Sequence, residues 1–164
     1  MRILTVRQPW AYAIIHLGKD VENRSRNIAG DYRGPVAIHA GARPLPFDDP
    51  SREFIARQTG RFPLVEHPSQ LGAIIGVVDL ADVHSATVLG GCGWLDHHCS
   101  EHGTCRKHCS VWAEGPNPAG GWFWHLILAN PRPLPEPIPY KGALGLRTLP
   151  DEVEALIRAQ LEAS

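Results

Sequence analysis

The residues best equipped for chemistry fall in two places. At 18–24 the run "GKDVENR" sets Lys19, Glu22 and Arg24 close together, directly after the amphipathic stretch "PWAYAIIHL". Helix carbonyls end near Gly18, so a cation is favoured at Lys19. In an extended segment Glu22 and Arg24 project to one face and Val21 and Asn23 to the other. A carboxylate acceptor beside donors suits the edge of a nucleobase, and a guanidinium can grip phosphate through two parallel hydrogen bonds. The same residues also make an ordinary surface ion-pair cluster of little stabilising effect.

The second place is "CGWLDHHCSEHGTCRKHC", residues 92–109. It holds all four cysteines, Cys92, Cys99, Cys105 and Cys109, with His97, His98, His102 and His108 between them. Thiolates and imidazoles suit zinc, and a closed four-ligand site can order a segment too poor in aliphatic residues to order itself. The first-choice ligands are Cys92, Cys99, Cys105 and Cys109, with His102 or His108 able to replace one of them. Free thiols and disulfides are the other readings of the same cluster. One structural zinc is therefore expected, and no organic cofactor.

Certain elements must position these residues. "ILTVR" (3–7) reads as a first strand by its alternation. A helix follows at 9–17, with Trp10, Ala13, Ile14 and Leu17 on one face and Gly18 past its end. "DVENRS" (20–25) is a short extended segment, and "GPVAIHA" (34–40) a second strong strand. "DPSREFIARQTG" (49–60) is a helix with an Asp cap and a terminal Gly. "LGAIIGVVDLADVHS" (71–85) is a long strand whose glycines permit curvature, and "GWFWHLILA" (121–129) is another. With five prolines between 131 and 139, "NPRPLPEPIPYKG" reads as a stiff connector, neither helix nor central strand. A helix at about 150–162 closes the chain, with Thr148 and Asp151 resembling a capping box. The total is a mainly β, α+β single domain over 1–164: a small curved barrel, with a Cys/His-rich insertion at about 86–120.

The formal net charge of −1 excludes a polycation, so any nucleic-acid contact is local. Residues 1–43 carry seven Lys/Arg against three Asp/Glu, and the last fourteen carry four Asp/Glu against one Arg. The opening residues lack a secretory h-region, and no apolar run is long enough to span a bilayer, so a cytoplasmic protein with no membrane partner is expected.

Taken in order, "TVRQPWAYAIIHLGKDVENRS", "YRGPVAIHAG", "LGAIIGVVDL" and "FWHLILANPRPLPEPIPYKGALGL" resemble the landmarks of ASCH domains, relatives of the PUA-like RNA-binding fold. The Lys19, Glu22, Arg24 spacing resembles the K-x-x-E-x-R part of the family's G-x-K-x-x-E-x-R signature, with Gly18 directly before the Lys where the signature has its Gly one place earlier. The resemblance implies a PUA-like curved barrel with a basic cleft facing RNA or a modified nucleoside or nucleotide. It implies Lys19, Glu22, Arg24, His39 and Lys141 as ligand-binding residues. A binding module is the favoured reading. The alternatives are a small hydrolase using Lys19 and Glu22 catalytically, on N(4)-acetylcytidine or an RNA phosphodiester, and a protein-interaction module. Glu22 departs from the amidohydrolase branch, where a Thr resembles the position it fills, and this weakens the deacetylase reading.

Overall fold

The computed structural model describes residues 1–61, 70–87, 91–92 and 108–163. Its six strands are β1 (Arg2–Val6), β2 (Val21–Arg24), β3 (Gly34–Ala40), β4 (Ala73–Ser85), β5 (Trp124–Pro139) and β6 (Leu146–Thr148). Three helices, α1 (Trp10–His16), α2 (Ser51–Thr59) and α3 (Asp151–Glu162), lie around them. The strands form one sheet in the order β2-β5-β4-β3-β1-β6. Among the described residues, only β1 and β3 run parallel; every other strand pairing is antiparallel. The sheet curls into an open half-barrel, as expected of a PUA-like curved barrel, with β2 and β6 as its edges.

Alternation along the strands gives the sheet two apolar faces. Leu4, Val6, Val36, Ile38, Val78 and Leu126 pack with Ala11, Ile14 and Ile15 of α1. Ile3, Ala37, Ile74 and Val77 pack on the other side with Ile157 of α3. Gly76 lets α1 approach: a Cβ there would stand 2.6 Å from Ile15 Cδ1 and 2.8 Å from the Arg132 carbonyl.

Two local readings are corrected. The proline-rich segment is strand, not connector: β5 continues through Pro131, Pro133, Pro135, Pro137 and Pro139, and rejoins β4 after register shifts. The reason is that β2 covers β5 only as far as Ile127. Beyond that point β5 has a strand on one side only, and prolines at alternate positions are tolerated at such an edge. The Thr148/Asp151 capping box does not form. α3 starts from an extended Pro150 without a side-chain cap, and Thr148 Oγ1 accepts from Arg2 Nη1 at 2.7 Å. By contrast, Gly18 and Gly60 adopt the left-handed conformation (φ 72° and 68°) just past α1 and α2, as their places in the sequence imply.

Gly76→Ala should cost about 1–3 kcal/mol, the usual range for overpacking a tight core. Urea denaturation of the purified variant checks this, with a lowered midpoint at unchanged slope as the expected result.

Candidate functional site

After α1 the Leu17 and Lys19 amides both donate to the Ala13 carbonyl at 3.0 Å. This turn carries Lys19 back under the helix. Lys19 is only 4% exposed and Glu22 8%. Lys19 Nζ stands 3.2 Å from Glu22 Oε2, donates to the Val21 carbonyl, and lies 5.4 Å from the centre of the Trp10 ring. Glu22 Oε1 is held at 3.0 Å by Arg24 Nη2. The same Arg24 nitrogen reaches the Thr5 carbonyl on β1 at 2.9 Å. Since β6 pairs with β1 only through Leu4, Arg24 bridges the open seam between the β2 edge and β1.

The expected trio thus forms one ion-paired network, of which only Lys19 and Glu22, not Arg24, line the cavity of about 650 Å³ beside it. Trp10, Phe54 and Trp112 also line it, their rings 5.7–6.5 Å apart centre to centre in tilted and edge-on pairs. Asn23 clamps one wall: its Nδ2 donates to the Trp112 carbonyl at 2.9 Å, and its Oδ1 accepts from the Glu114 amide at 3.1 Å. The charged lining is Lys19 and Arg57 against Glu22, Asp49 and Glu114. This is mixed charge, where the resemblance implied a basic cleft. Hydrogen bonds from Ser51 hold the Asp49 carboxyl below its ordinary range.

His39 and Lys141 are not part of this cavity. His39 is buried on β3, its Nε2 2.9 Å from the Tyr140 carbonyl, and Gly142 packs so closely on its ring that a Cβ would meet it at 2.5 Å. Lys141 is exposed beyond β5. Burial holds the His39 imidazole below its ordinary value, outweighing its backbone hydrogen bonds.

A second cluster forms where β4 ends and β5 begins. His84 and His125 are cross-strand partners, and Cys92 and Cys109 come to the same spot. Each of the four offers a ligand atom within 4.8 Å of the others, an arrangement able to hold a metal ion. Of the expected ligands, Cys92 and Cys109 are therefore together, while Cys99, Cys105 and His102 lie outside the described residues. His108 stands alongside, its Nδ1 3.8 Å from Cys92 Sγ. Burial and then the neighbouring Cys92 push the Cys109 thiol up to about 12.

Sequence reasoning missed His84 and His125 as candidate ligands, and Phe54, Arg57, Asp49, Trp112 and Glu114 as cavity wall. The histidines had a signal: each stands at the end of a strand that borders the Cys-rich insertion. The wall residues had none, because they come from separate segments.

No family model and no curated protein matches the sequence. Among solved structures, the chain is similar to a crystal structure of the Zymomonas mobilis ASCH protein carrying one tyrosine-to-phenylalanine change. The identity is 16% and the TM-score 0.50, over 96% of both chains. The crystal structure of ASCH from the same organism is also 16% identical, with a TM-score of 0.48 over 96% of this chain and 93% of that one. The first likeness shows the fold: this chain is built like an ASCH protein.

Two outcomes are expected. Arg24→Ala should lower stability by about 1–2 kcal/mol, because it removes charge-assisted hydrogen bonds to both Glu22 and Thr5; a denaturant midpoint reads this. His39 binds its proton less readily folded than unfolded, so its contribution is complete above the ordinary value near 6.5 and lost as pH falls below it. His16 acts in the same sense. His39→Gln should flatten the decline between pH 7 and 5 by up to about 1.4 kcal/mol per pH unit, measured from urea midpoints across that range.

Proposed function

We propose that this chain is a binding module for a nucleobase presented by a nucleoside, a nucleotide or an RNA end, with Lys19 and Glu22 meeting the base edge and Asn23 holding the cavity wall. The observation that carries this reading is three aromatic rings, Trp10, Phe54 and Trp112, gathered around those polar side chains in a cavity of about 650 Å³. That volume lies within the range of small-molecule sites. Aromatic faces accept any base by stacking. A carboxylate has about four lone-pair sites. Lys19 and Arg24 engage one at each Glu22 oxygen, which leaves acceptor capacity for ring N–H or amino donors of a ligand. The mixed charge argues for a base-reading pocket over a groove tracking many phosphates, whose affinity would need clustered cations. The shared fold with an ASCH protein is consistent with this reading, which rests on the cavity.

A hydrolase reading has one observation in its favour, the buried Lys19–Glu22 pair facing the cavity. Glu22 would have to activate water while Lys19 stabilised the developing oxyanion. Both Glu22 oxygens are already held by cations, which makes it a better fixed acceptor than a base.

Quenching of tryptophan fluorescence tests the binding reading, since Trp10 and Trp112 line the cavity. Titration with nucleosides, nucleoside monophosphates and short single-stranded RNA should show saturable binding of the monomers, with weak dependence on salt. Trp112→Leu should weaken it about tenfold or more, the scale of a lost stacking contact. Binding of RNA alone, with a steep salt dependence, would overturn the proposal, as would no binding at all. Mass spectrometry after incubation with N(4)-acetylcytidine should find the nucleoside unchanged; turnover abolished by Lys19→Ala would promote the hydrolase.

A further inference from the structure

We propose that His84, Cys92, Cys109 and His125 bind one zinc ion, a Cys2His2 site that fastens both ends of the inserted segment to the β4–β5 corner. Three features beyond proximity point to a metal. His125 Nε2 lies 2.7 Å from the Glu114 carbonyl. That contact places its proton on Nε2 and turns the Nδ1 lone pair toward Cys92 Sγ at 3.1 Å and Cys109 Sγ at 3.4 Å. His84 is arranged the other way round: its Nδ1 lies 2.8 Å from Asp82 Oδ2. Its Nε2 is then the free lone pair, and that atom is buried with no hydrogen-bond partner. Two imidazoles, each anchored through one nitrogen to a carbonyl or carboxylate and offering the other inward, are the usual second layer of a metal site.

The donor set selects the metal. Two thiols and two imidazoles suit zinc in a tetrahedral, closed site. With Zn–S near 2.3 Å and Zn–N near 2.0 Å, the edges of such a tetrahedron run at roughly 3.3–3.8 Å, close to the cysteine–His125 separations. The two thiol protons pass to solvent as Zn²⁺ binds, and the resulting dithiolate complex is neutral, which suits its half-buried place. Four protein ligands leave no position for water, so the role is structural. The site differs from one formed within the Cys-rich run, because two ligands come from the sheet.

The position also explains what the ion would hold. Cys92 follows β4, with its amide on the Ser85 carbonyl at 3.1 Å. Cys109 lies three residues before Trp112, on the segment that walls the cavity. The ion therefore ties that wall to the sheet whether or not the cavity binds a base.

The test uses the full chain, produced without a metal-affinity tag and under reducing conditions. Elemental analysis should give one zinc per chain. Replacement by Co²⁺ should give the intense visible bands of a tetrahedral site, with sulfur-to-cobalt charge transfer. His84→Ala and Cys109→Ser should lose the metal and melt lower, whereas Cys99→Ser/Cys105→Ser should keep one zinc. If the first pair fails to fold, Co²⁺ titration of chelator-stripped wild type supplies the reading: tetrahedral bands saturating at one equivalent are expected, and octahedral spectra count against the site. A zinc content near zero, with Cys92 and Cys109 both alkylated or joined in a disulfide, overturns the proposal. Metal kept by His84→Ala but lost from Cys99→Ser/Cys105→Ser overturns the ligand assignment.

Discussion

A buried ammonium and a buried carboxylate, Lys19 and Glu22, stand 3.2 Å apart beside the edge of an open sheet. Charges so far from water persist only when paired and hydrogen-bonded, and deleting one partner of such a pair commonly costs several kcal/mol. The surroundings satisfy both. The Val21 carbonyl and the Trp10 ring face the ammonium, and Arg24 takes the second carboxylate oxygen. By reaching on to Thr5, Arg24 links strands that share no backbone ladder. The four residues of β2 thus gain anchors to α1 and β1 that a short edge strand would otherwise lack.

Strand alternation divides β2 between two tasks. Glu22 belongs to the charged network. Asn23, one residue on, pairs across the ladder with His125. Those two side chains fix the backbone at Trp112 and Glu114 through three hydrogen bonds. The cavity is therefore defined on both flanks by neighbouring residues of one short strand, and the Cys/His cluster lies one strand further along. Hydrogen bonds from His125 and Asn23 to the Glu114 backbone join the cluster to the cavity wall.

Local features were legible in the sequence because their causes are local. Helical periodicity located α1 and start and stop residues located α2, and Gly18 and Gly60 ended them, since only glycine enters the left-handed region cheaply. The Lys19–Glu22–Arg24 convergence was legible too: a turn and an extended segment suffice to bring residues three and two apart together. Cys92 and Cys109 were identified by type, as thiols bracketing a segment with little apolar content.

What only the tertiary structure decided depends on pairing between distant segments. The proline run became a strand because β2 is short and leaves that part of β5 uncovered. His39 left the expected cleft because β3 turns it toward Tyr140 and Gly142. Phe54 and Trp112, 58 positions apart in the chain, meet only when α2 and the end of the insertion fold against α1. His84 and His125 meet because β4 and β5 pair in one particular register, and a slip of one residue would send either side chain to the opposite face. The sequence by itself determined which groups were available and how neighbours turn. Which distant groups face one another was settled by strand register and by the packing of α1 and α2, where the free energy comes from burying whole faces and no single residue announces the outcome.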